Sequence, residues 1–516
     1  MMIDPRTPVL VGAAQHTQRA SDRPVLSPMG MVSRAAKSVL EECEIAGLSD
    51  QVELIAMLRF TVDSTDFLTL PYGRYPNPPA SLARALGARP AEQYYVETGG
   101  NTPQKTVNYL GGRIASGEID IGLIAGGEAL SSLKRLMISG KPPNADNGWT
   151  DEQPGDPVML GDDRPGVDEL EAAHGLFPPI NTYPLIESTI RAERGTSLSN
   201  HMEDMGRLFA SFSQIAARNP RAWFPQERTA QEIATPTAKN RLVGAPYTKF
   251  MNANIEVDMS AALVMMSVGK AEELGVPREK WVFLHGAAEV NEIWNVSRRP
   301  ALDRSPAIKA MTEAVLDMAG KRIADIDFLD LYSCFPSAVE IACREMGIAQ
   351  NDPRGLTITG GLPFFGGPGN CYSLHAIAEM MARVRARPGT YGLVTANGWY
   401  LTKHAAGIYS TVPIEGSWQM PNQAALQRQA DGTGPLERED QPEGRGVIEA
   451  YTITHNQKGP ETGIVIGRLG NGKRFLANLP GKPALLRTLL EGEQVGRPGQ
   501  VSTRAKRAIF TPEGEK

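Results

Sequence analysis

GGNTPQKTVNYLGGRIASGEIDIGLIAGGEAL, residues 99–130, is matched by GGPGNCYSLHAIAEMMARVRARPGTYGLVTANGWYL at residues 366–401. Each stretch opens on two glycines and continues with apolar residues three or four positions apart, which predicts a helix with one buried face. A break containing glycine and a short apolar strand follow in both. The repeat predicts two similar halves, although strand, glycine turn and helix also recur in α/β proteins without any duplication.

The start of the first repeated helix, ETGGNTPQ at 97–104, is a second informative feature. Many enzymes hold a nucleophile at such a position, yet this stretch contains no Cys, Ser, Lys or Asp. The first backbone N–H groups of a helix lack intrahelical partners and bind anions or oxyanions. Two similar halves would bring two such helix starts to a shared centre. The sequence therefore predicts an oxyanion-binding centre that has no nucleophile.

Composition excludes several classes of protein. The chain has 516 residues, 41% of them hydrophobic, and a net charge of −5, which indicates a well-packed protein. The absence of a long basic block argues against nucleic acid as a partner. Cys43, Cys334, Cys343 and Cys371 lack metal-ligand spacing, so we expect reduced thiols, no metal and a cytoplasmic location. Neither a signal peptide nor a membrane span is expected.

The first part of the chain alternates short apolar runs with helical patterns. Strands are predicted over 8–15, 52–60 and 93–100, and helices over 29–47 and 80–87. Alternation of this kind is typical of an α/β domain with parallel strand pairing.

A long polar region separates the two repeats. Residues 140–250 are rich in Pro, Gly, Asp and Asn, and contain a predicted helix over 201–219; we interpret this region as an inserted lid. A buried helix is predicted over 257–275 and a strand over 281–291. Residues 307–347 predict a helix, a strand, a turn and another helix.

The last hundred residues differ in composition. Gln, Gly, Pro and Glu dominate the segment 414–445, which is predicted to be a linker. After it, apolar residues alternate with polar ones, and GNG at 470–472 marks a turn between strands. The segment 446–516 is therefore predicted to be a small antiparallel β domain.

The motifs ASGEIDIGLIAGGEAL, VDMSAALVMMS and LDLYSCFPSAVEIA, together with the repeat, resemble the thiolase superfamily over about 5–413. The C-terminal segment resembles the extra domain of the thiolase-like protein type 1 group, which is similar to an oligonucleotide/oligosaccharide-binding (OB) barrel. The resemblance implies the thiolase fold: duplicated βαβαβαββ halves in five αβαβα layers, with a lid subdomain. The halves would span 1–275, including the lid, and 276–413, followed by the linker and a barrel-like β domain over 446–516.

The resemblance also implies four catalytic loops, three of which lack their reactive side chain here. The nucleophilic Cys of thiolases falls on Gly100 or, with a shift of one residue, on Asn101. The His of the Gly-His-Pro loop is replaced by Gly367, and the acid/base Cys of the Cys-x-Gly loop by Ala396. Because these groups act as a unit, ordinary thiolase activity is not expected. Backbone amides near Gly100, Asn101 and Gly398 are the predicted oxyanion hole.

Tyrosines suggest an alternative chemistry. The remaining loop reads Tyr332-Ser333-Cys334-Phe335, and Tyr372 opens the second repeated helix. Some thiolase-fold aldolases of steroid side-chain breakdown lack the cysteine and use tyrosines in these loops to move protons. We therefore hypothesise a retro-aldolase acting on a β-hydroxyacyl-CoA with Tyr332 and Tyr372. The alternative is that Tyr332 only fills space and forms local hydrogen bonds.

Further site residues are hypotheses of the same kind. Cys371 and His375 stand four residues apart on one helix face and could form a reactive pair, or could simply pack. By resemblance, Lys249 and Asn252 are candidates for binding the pantetheine arm of coenzyme A. His404, just past the fourth loop, could titrate near the site.

The leading hypothesis is an acyl-CoA-binding protein, acetyl-CoA acetyltransferase-like in family but without cysteine chemistry. A retro-aldolase and a non-catalytic acyl-CoA carrier are the alternatives. Coenzyme A thioester would be substrate or ligand, with no permanently bound cofactor. Type 1 relatives are monomers and thiolases proper form dimers or tetramers, so either a monomer or a homodimer is expected.

Overall fold

The computed structural model describes residues 3–64, 74–140, 143–151, 153–432, 434–504 and 507–514. Its strands are β1 Pro8–Thr17, β2 Leu54–Met57, β3 Glu92–Val96, β4 Ile121–Ala129, β5 Val158–Leu160, β6 Leu242–Gly244, β7 Tyr247–Thr248, β8 Asp258–Ser267, β9 Val282–Asn291, β10 Phe328–Asp330, β11 Tyr391–Gly398, β12 Lys403–Ser410, β13 Gly444–Asn456, β14 Gly459–Leu469, β15 Arg474–Asn478, β16 Pro498–Arg504 and β17 Arg507–Pro512. Its helices are α1 Pro28–Glu42, α2 Leu48–Gln51, α3 Pro78–Leu86, α4 Thr102–Ala115, α5 Leu130–Ile138, α6 Glu169–Ala173, α7 Pro179–Arg194, α8 Leu198–Arg218, α9 Ala230–Ala234, α10 Val268–Glu273, α11 Pro306–Ala319, α12 Pro336–Met346, α13 Gly361–Phe364, α14 Tyr372–Ala386, α15 Gln423–Asp431 and α16 Pro483–Leu489.

Ten strands form one mixed sheet, in the order β10-β11-β12-β9-β1-β8-β4-β2-β3-β5. Six of these strands come from residues before 270 and four from residues after 280. The two groups meet where β1 pairs with β9, and this antiparallel pairing covers only two positions, Val9 with Phe283 and Leu10 with Val282. Neighbouring strands at both ends of the sheet are parallel, as in β2–β3 and β10–β11.

The two repeated helices lie together in the middle layer. α4 and α14 contact each other and strands from both groups, including β8 and β12. Their apolar faces, formed by residues such as Val107, Leu110, Leu374 and Ile377, are completely buried. Outer helices α1 and α3 cover the first group of strands, while α11 packs on β9 and β12 of the second. This is the duplicated, layered α/β fold that the sequence predicts.

The predicted buried helix over 257–275 is wrong. This stretch contains the ten-residue strand β8, which pairs with β1 and β4, and only then the short helix α10. All ten residues of β8 are buried. A strand buried on both faces is apolar at every position, so its sequence lacks the alternation that separates a strand from a buried helix.

The region predicted as a lid contains the helices α6 to α9. The longest of them, α8, confirms the helix predicted over 201–219 within one to three residues at each end. The predicted linker is not an extended tether. Trp418 is buried and its indole N–H donates to the carbonyl of Leu284 at 2.7 Å, and α15 packs on α11 and β9.

A second sheet closes into a five-stranded barrel near the C-terminus. Its strands follow the order β14-β15-β17-β16-β13, and β13 also pairs with β14. Phe475 and Phe510 stack at 5.7 Å inside it. The lid strands β6 and β7 extend this sheet, with Gly244 opposite Thr454. Within the described ranges, every helix is too short or too polar to cross a lipid bilayer.

Candidate active site

Four loops meet at the N-termini of α4 and α14, and we call them together the four-loop site: residues 98–101, 332–335, 366–371 and 396–398. The Gly99 N–H donates to Oδ1 of Asn370 at 2.8 Å, and the Ser373 hydroxyl donates to the carbonyl of Gly100 at 3.1 Å. A Cβ atom at Gly398 would lie 3.2 Å from Cα of Gly99. The glycine turns of the two repeats are therefore in contact.

Gly100 has no room for a side chain. A Cβ atom at this position would lie 2.6 Å from Cζ of Tyr332, closer still to the Tyr332 hydroxyl, and 2.7 Å from the carbonyl oxygen of Asn397. Real Cβ atoms do not approach other heavy atoms this closely, so Tyr332 occupies the volume in which a nucleophilic side chain would begin. Gly100 itself is not in the left-handed region, and its requirement for glycine is one of space.

The backbone and the side chain of Tyr332 differ in their hydrogen bonds. The backbone N–H of Tyr332 donates to the Thr395 hydroxyl at 3.0 Å, but in the described part of the chain the phenol hydroxyl forms no hydrogen bond. Burial raises the pKa of Tyr332 well above its ordinary value. The phenol is thus protonated at neutral pH, which suits a hydrogen-bond donor and is the opposite of what a general base needs.

Tyr372 has a different environment. Its ring meets that of Tyr332 edge-on at 5.5 Å, but its hydroxyl donates to Oδ1 of Asp330 at 2.9 Å and lies 2.6 Å from the Thr359 hydroxyl. The Asp330 carboxylate also accepts the backbone N–H of Ile358 at 3.0 Å. Tyr372 is completely buried, and its hydroxyl is already engaged in this network.

The hypothesis of a reactive Cys371–His375 pair finds no support in the geometry. Nδ1 of His375 is 2.9 Å from Oε1 of Gln15, and among the described residues no hydrogen bond joins the thiol to the imidazole. Burial lowers the pKa of His375 to about 3 and raises the pKa of Cys371. A neutral thiol beside a neutral imidazole fits the packing alternative.

Two buried amides at the site have unused acceptors. Asn101 and Asn397 are 2% and 4% exposed, and Oδ1 of each has no hydrogen-bond partner within the described ranges. The Asn101 side chain lies against both glycine turns, since a Cβ atom at Gly398 would be 3.2 Å from its Cγ. Buried polar atoms are nearly always paired, so these two oxygens remain available to accept hydrogen bonds.

The cavity beside these groups is small. It is bordered by Tyr332, Ala396, Asn397 and His404 and has a volume of about 10 Å³. Pockets that enclose a drug-sized ligand span roughly 300–1,000 Å³, so this cavity by itself does not hold a pantetheine arm. Nε2 of His404 donates to the Leu401 carbonyl at 3.1 Å, and burial lowers the pKa of His404 to about 3.

The lid supplies a residue that the sequence analysis missed. Tyr183 on α7 stacks on Phe335 with ring centroids 4.2 Å apart. Its hydroxyl accepts from Nδ2 of Asn397 and the N–H of Leu401, both at 3.1 Å, and donates to the carbonyl of Trp399 at 2.9 Å. One lid side chain therefore ties the second loop to the fourth. No sequence signal marks it, because Tyr183 lies in a Pro-rich stretch far along the chain from its partners.

The two residues predicted to bind coenzyme A differ in their exposure to solvent. Lys249 is exposed on the lid. Asn252 is buried, donates from Nδ2 to the Thr248 carbonyl at 2.6 Å, and leaves its Oδ1 without a partner in the described part of the protein. Next to it, the Ala253 N–H donates to the carbonyl of Cys334 at 2.9 Å, which places this segment along the second loop.

Three similarities to known proteins bear on this geometry. Residues 425–506 match the family model of the thiolase-like protein type 1 additional C-terminal domain. A segment of 138 residues is 28% identical to a 3-ketoacyl-CoA thiolase from Marinomonas sp. (strain MWYL1), covering 27% of this chain and only 33% of that relative. The structure of an Ltp2-ChsH2(DUF35) aldolase matches 79% of this chain and 98% of its own with a TM-score of 0.56 and 19% identity, a likeness of fold alone.

The whole chain has a counterpart among solved structures. The crystal structure of a monomeric SCP2-thiolase-like protein type 1 from Mycobacterium smegmatis is 37% identical, covers 99% of this chain and 100% of its own, and superposes with a TM-score of 0.84. Both the layered α/β part and the C-terminal barrel lie within that match. The chain therefore belongs to the thiolase superfamily, in the thiolase-like protein type 1 group.

Proposed function

We propose that this protein binds acyl-CoA thioesters at the four-loop site and does not form an acyl-enzyme through a cysteine. The observation that carries the proposal is the contact between Gly100 and Tyr332. A phenol stands where the nucleophile of a thiolase would begin, and neither Gly367 nor Ala396 offers a proton-transfer group. Without nucleophile, base and proton shuttle, an acyl group cannot be transferred through the usual covalent intermediate.

The polar groups left unpaired at the site support a thioester ligand. The Tyr332 phenol can donate to the thioester carbonyl, and Oδ1 of Asn101 and Asn397 can accept from amide or hydroxyl groups of the ligand. The cavity of about 10 Å³ bordered by Tyr332 is much smaller than a thioester, so in this proposal Tyr332 turns away from Gly100 when the ligand binds. Tyr332 is therefore both the gate and the donor of the site.

The test uses the full-length protein with acetyl-CoA, acetoacetyl-CoA and 3-hydroxybutyryl-CoA. Calorimetric titration should give micromolar affinity, and mass spectrometry should show no thiolysis of acetoacetyl-CoA by free coenzyme A. Tyr332→Phe, which removes only the donor, should weaken thioester binding by about tenfold, the worth of one good hydrogen bond. Tyr109→Phe, near the surface on α4, is the control. Thiolysis above background, or no binding at millimolar ligand, contradicts the proposal.

Retro-aldol cleavage of a β-hydroxyacyl-CoA is the second candidate. It is favoured by the free Tyr332 hydroxyl together with the two unpaired amide oxygens, which could accept the β-hydroxyl of such a substrate. In this reaction the β-hydroxyl loses its proton to solvent water, the Cα–Cβ bond breaks, and the thioester enolate gains a proton from water at Cα. The products are a ketone or aldehyde and a shorter acyl-CoA. Because the Tyr332 phenol is protonated at neutral pH, its role would be to stabilise the enolate oxygen by donation.

Mass spectrometry of a panel of β-hydroxyacyl-CoAs distinguishes the two candidates. Formation of a carbonyl product and a shortened thioester, lost in Tyr332→Phe and retained in Tyr372→Phe, would establish cleavage. Intact substrates after prolonged incubation, with binding still measurable, would leave the non-catalytic carrier.

The proposal includes a monomer in the cytoplasm. A monomer is supported by the type 1 relative from Mycobacterium smegmatis, which is 37% identical, covers 99% of this chain and is monomeric. Light scattering behind a sizing column should give the mass of one 55.8 kDa chain. The four thiols are all free and buried, which is consistent with a reducing compartment.

A further inference from the structure

A buried cluster of potential metal ligands lies outside the four-loop site. It consists of Glu187 on α7, His201 on α8 and Glu340 on α12, which are 0%, 0% and 3% exposed. One ligand atom from each residue lies within 4.8 Å of the other two. Glu187 and His201 lie 14 residues apart on consecutive helices, whereas Glu340 lies far along the chain, so no short metal-ligand spacing marks this cluster in the sequence.

Each carboxylate has one oxygen that is held from outside the cluster. The Tyr247 hydroxyl donates to Oε2 of Glu187 at 2.5 Å, and the Arg194 guanidinium lies 3.1 Å from Oε2 of Glu340. The second oxygen of Glu187 is 2.5 Å from Nε2 of His201. Outer partners that orient metal-binding carboxylates in this way are common around metal sites.

Glu340 is poorly satisfied by the protein. Neither of its carboxylate oxygens forms a hydrogen bond with the described residues, and Arg194 contributes only an ion pair. A buried carboxylate with so few partners is favoured by a further positive group beside it. A cation between Glu340, Glu187 and His201 would be such a group.

We propose that Glu187, His201 and Glu340 form a binding site for a divalent transition-metal ion, Zn²⁺ in the first instance. One imidazole nitrogen and two carboxylate oxygens are ligands that Zn²⁺ accepts, with water completing four-coordination. The ion replaces the proton between His201 and Glu187, so binding releases a proton. Two carboxylates neutralise the charge of the ion. The site departs from the expectation, drawn from the sequence, that the protein holds no metal.

The position of the site gives it a structural role. The Tyr247 hydroxyl that holds Glu187 also lies 2.8 Å from the hydroxyl of Ser337, in the first turn of α12. Phe335, the last residue of the second loop, is stacked between the rings of Tyr183 and Tyr247. An ion at the cluster would clamp the lid helices α7 and α8 to α12, directly behind the four-loop site.

The experiment measures zinc content and thermal stability of the full-length protein. After treatment with a chelator and dialysis, addition of Zn²⁺ should restore about one zinc ion per chain by elemental mass spectrometry and raise the Tm by several degrees. Mn²⁺ and Co²⁺ serve as parallel arms that rank the ions. Retention of less than 0.2 zinc per chain and a Tm independent of added Zn²⁺ would overturn the proposal and leave a metal-free ion network; here 0.2 is a rough threshold for partial occupancy.

Variants distinguish a metal site from a metal-free network of ion pairs. Glu340→Gln keeps the side-chain shape and should lower zinc affinity at least about tenfold, with loss of the Zn²⁺-dependent rise in Tm. Glu187→Gln should act in the same direction. Glu203→Gln, on the exposed face of α8, is the matched control and should bind zinc like the wild type. Equal zinc binding by Glu340→Gln and the wild type would contradict the assignment of the ligands, even if both proteins bind zinc elsewhere.

Discussion

The phenol oxygen of Tyr183, on lid helix α7, lies 3.1 Å from the amide nitrogen of Asn397 at the end of β11. The same oxygen binds the backbone of Trp399 and Leu401, two non-glycine residues in the left-handed region. Strained backbone of this kind persists only where surrounding contacts hold it. The lid therefore does more than cover the site, because one of its tyrosines fixes the loop that carries Asn397.

Tyr183→Phe should destabilise the protein and disturb the fourth loop. The change leaves the N–H of Leu401, the carbonyl of Trp399 and the amide of Asn397 without their partner in a buried site. Unpaired buried groups of this kind cost about 1–3 kcal/mol each, and partial relaxation makes a total loss of about 2–4 kcal/mol the expected result. Urea unfolding measures it. Tyr94→Phe, whose half-buried hydroxyl donates to Glu92, should lose less than about 1 kcal/mol; equal losses in the two variants would refute the bracing role.

Gly100 and Tyr332 should be energetically coupled. Gly100→Ala places a methyl group in the volume of the Tyr332 ring and should cost about 2 kcal/mol or more through overpacking. Tyr332→Ala in the same chain removes the clash with the ring and leaves only the one with the Asn397 carbonyl, so the cost of the Gly100 change should fall by at least about 1 kcal/mol. A double-mutant cycle in urea gives this coupling directly.

Gly112, which lies within α4, provides the control for that cycle. A Cβ atom at Gly112 would meet nothing within 4 Å, so Gly112→Ala should stabilise the protein by about 0.5–1 kcal/mol through helix propensity. Strict additivity of the changes at Gly100 and Tyr332 would mean that the ring has already moved in solution, and the closed form of the site would then be incorrect.

The repeat 99–130 and 366–401 predicts the layered core because both copies have apolar residues at helical spacing. In the structure these residues lie on α4 and α14. Sequence similarity also locates the four loops, and Gly99 and Gly398 from two of them lie against each other. What the sequence could not show depends on side-chain placement. The contact of Tyr183 with Asn397 joins residues 214 apart, and the filling of the site by Tyr332 depends on its rotamer. The strand β8 was mistaken for a helix because burial on both faces removes the alternation of a strand.

Stability should fall as pH drops below 6.5 because His375 and His404 are buried as neutral imidazoles. Burial lowers the pKa of both to about 3, against about 6.5 in an unfolded chain. Their contribution is complete above pH 6.5, and below it the unfolded state takes up protons that the folded state refuses. Each residue therefore removes up to about 1.4 kcal/mol per pH unit between pH 6.5 and 3. Urea unfolding at pH 7.5, 6.5 and 5.5 should show the slope, and His375→Gln should reduce it; an unchanged slope in that variant would show that His375 is not the source.

Glu97 and Lys403 form a buried ion pair on the other side of the first glycine turn. They are 1% and 2% exposed, and Nζ of Lys403 lies 3.2 Å from Oε2 of Glu97 while also donating to the carbonyl of Thr98. Glu97 also accepts from Lys105 at 2.6 Å. Glu97→Gln keeps the shape of the side chain but leaves the Lys403 ammonium buried without a counter-charge, and breaking a buried pair in this way costs about 3–5 kcal/mol.

The partner variant decides whether charge is the cause of that loss. Adding Lys403→Met to Glu97→Gln removes the uncompensated ammonium, so the double variant should be more stable than Glu97→Gln alone by at least about 1 kcal/mol. Glu256→Gln, which breaks an exposed pair with Lys134, should change stability by less than about 0.5 kcal/mol. If the double variant is less stable than either single one, the methylene packing of Lys403 against Gly99 outweighs its charge, and the ion pair is not what holds the turn.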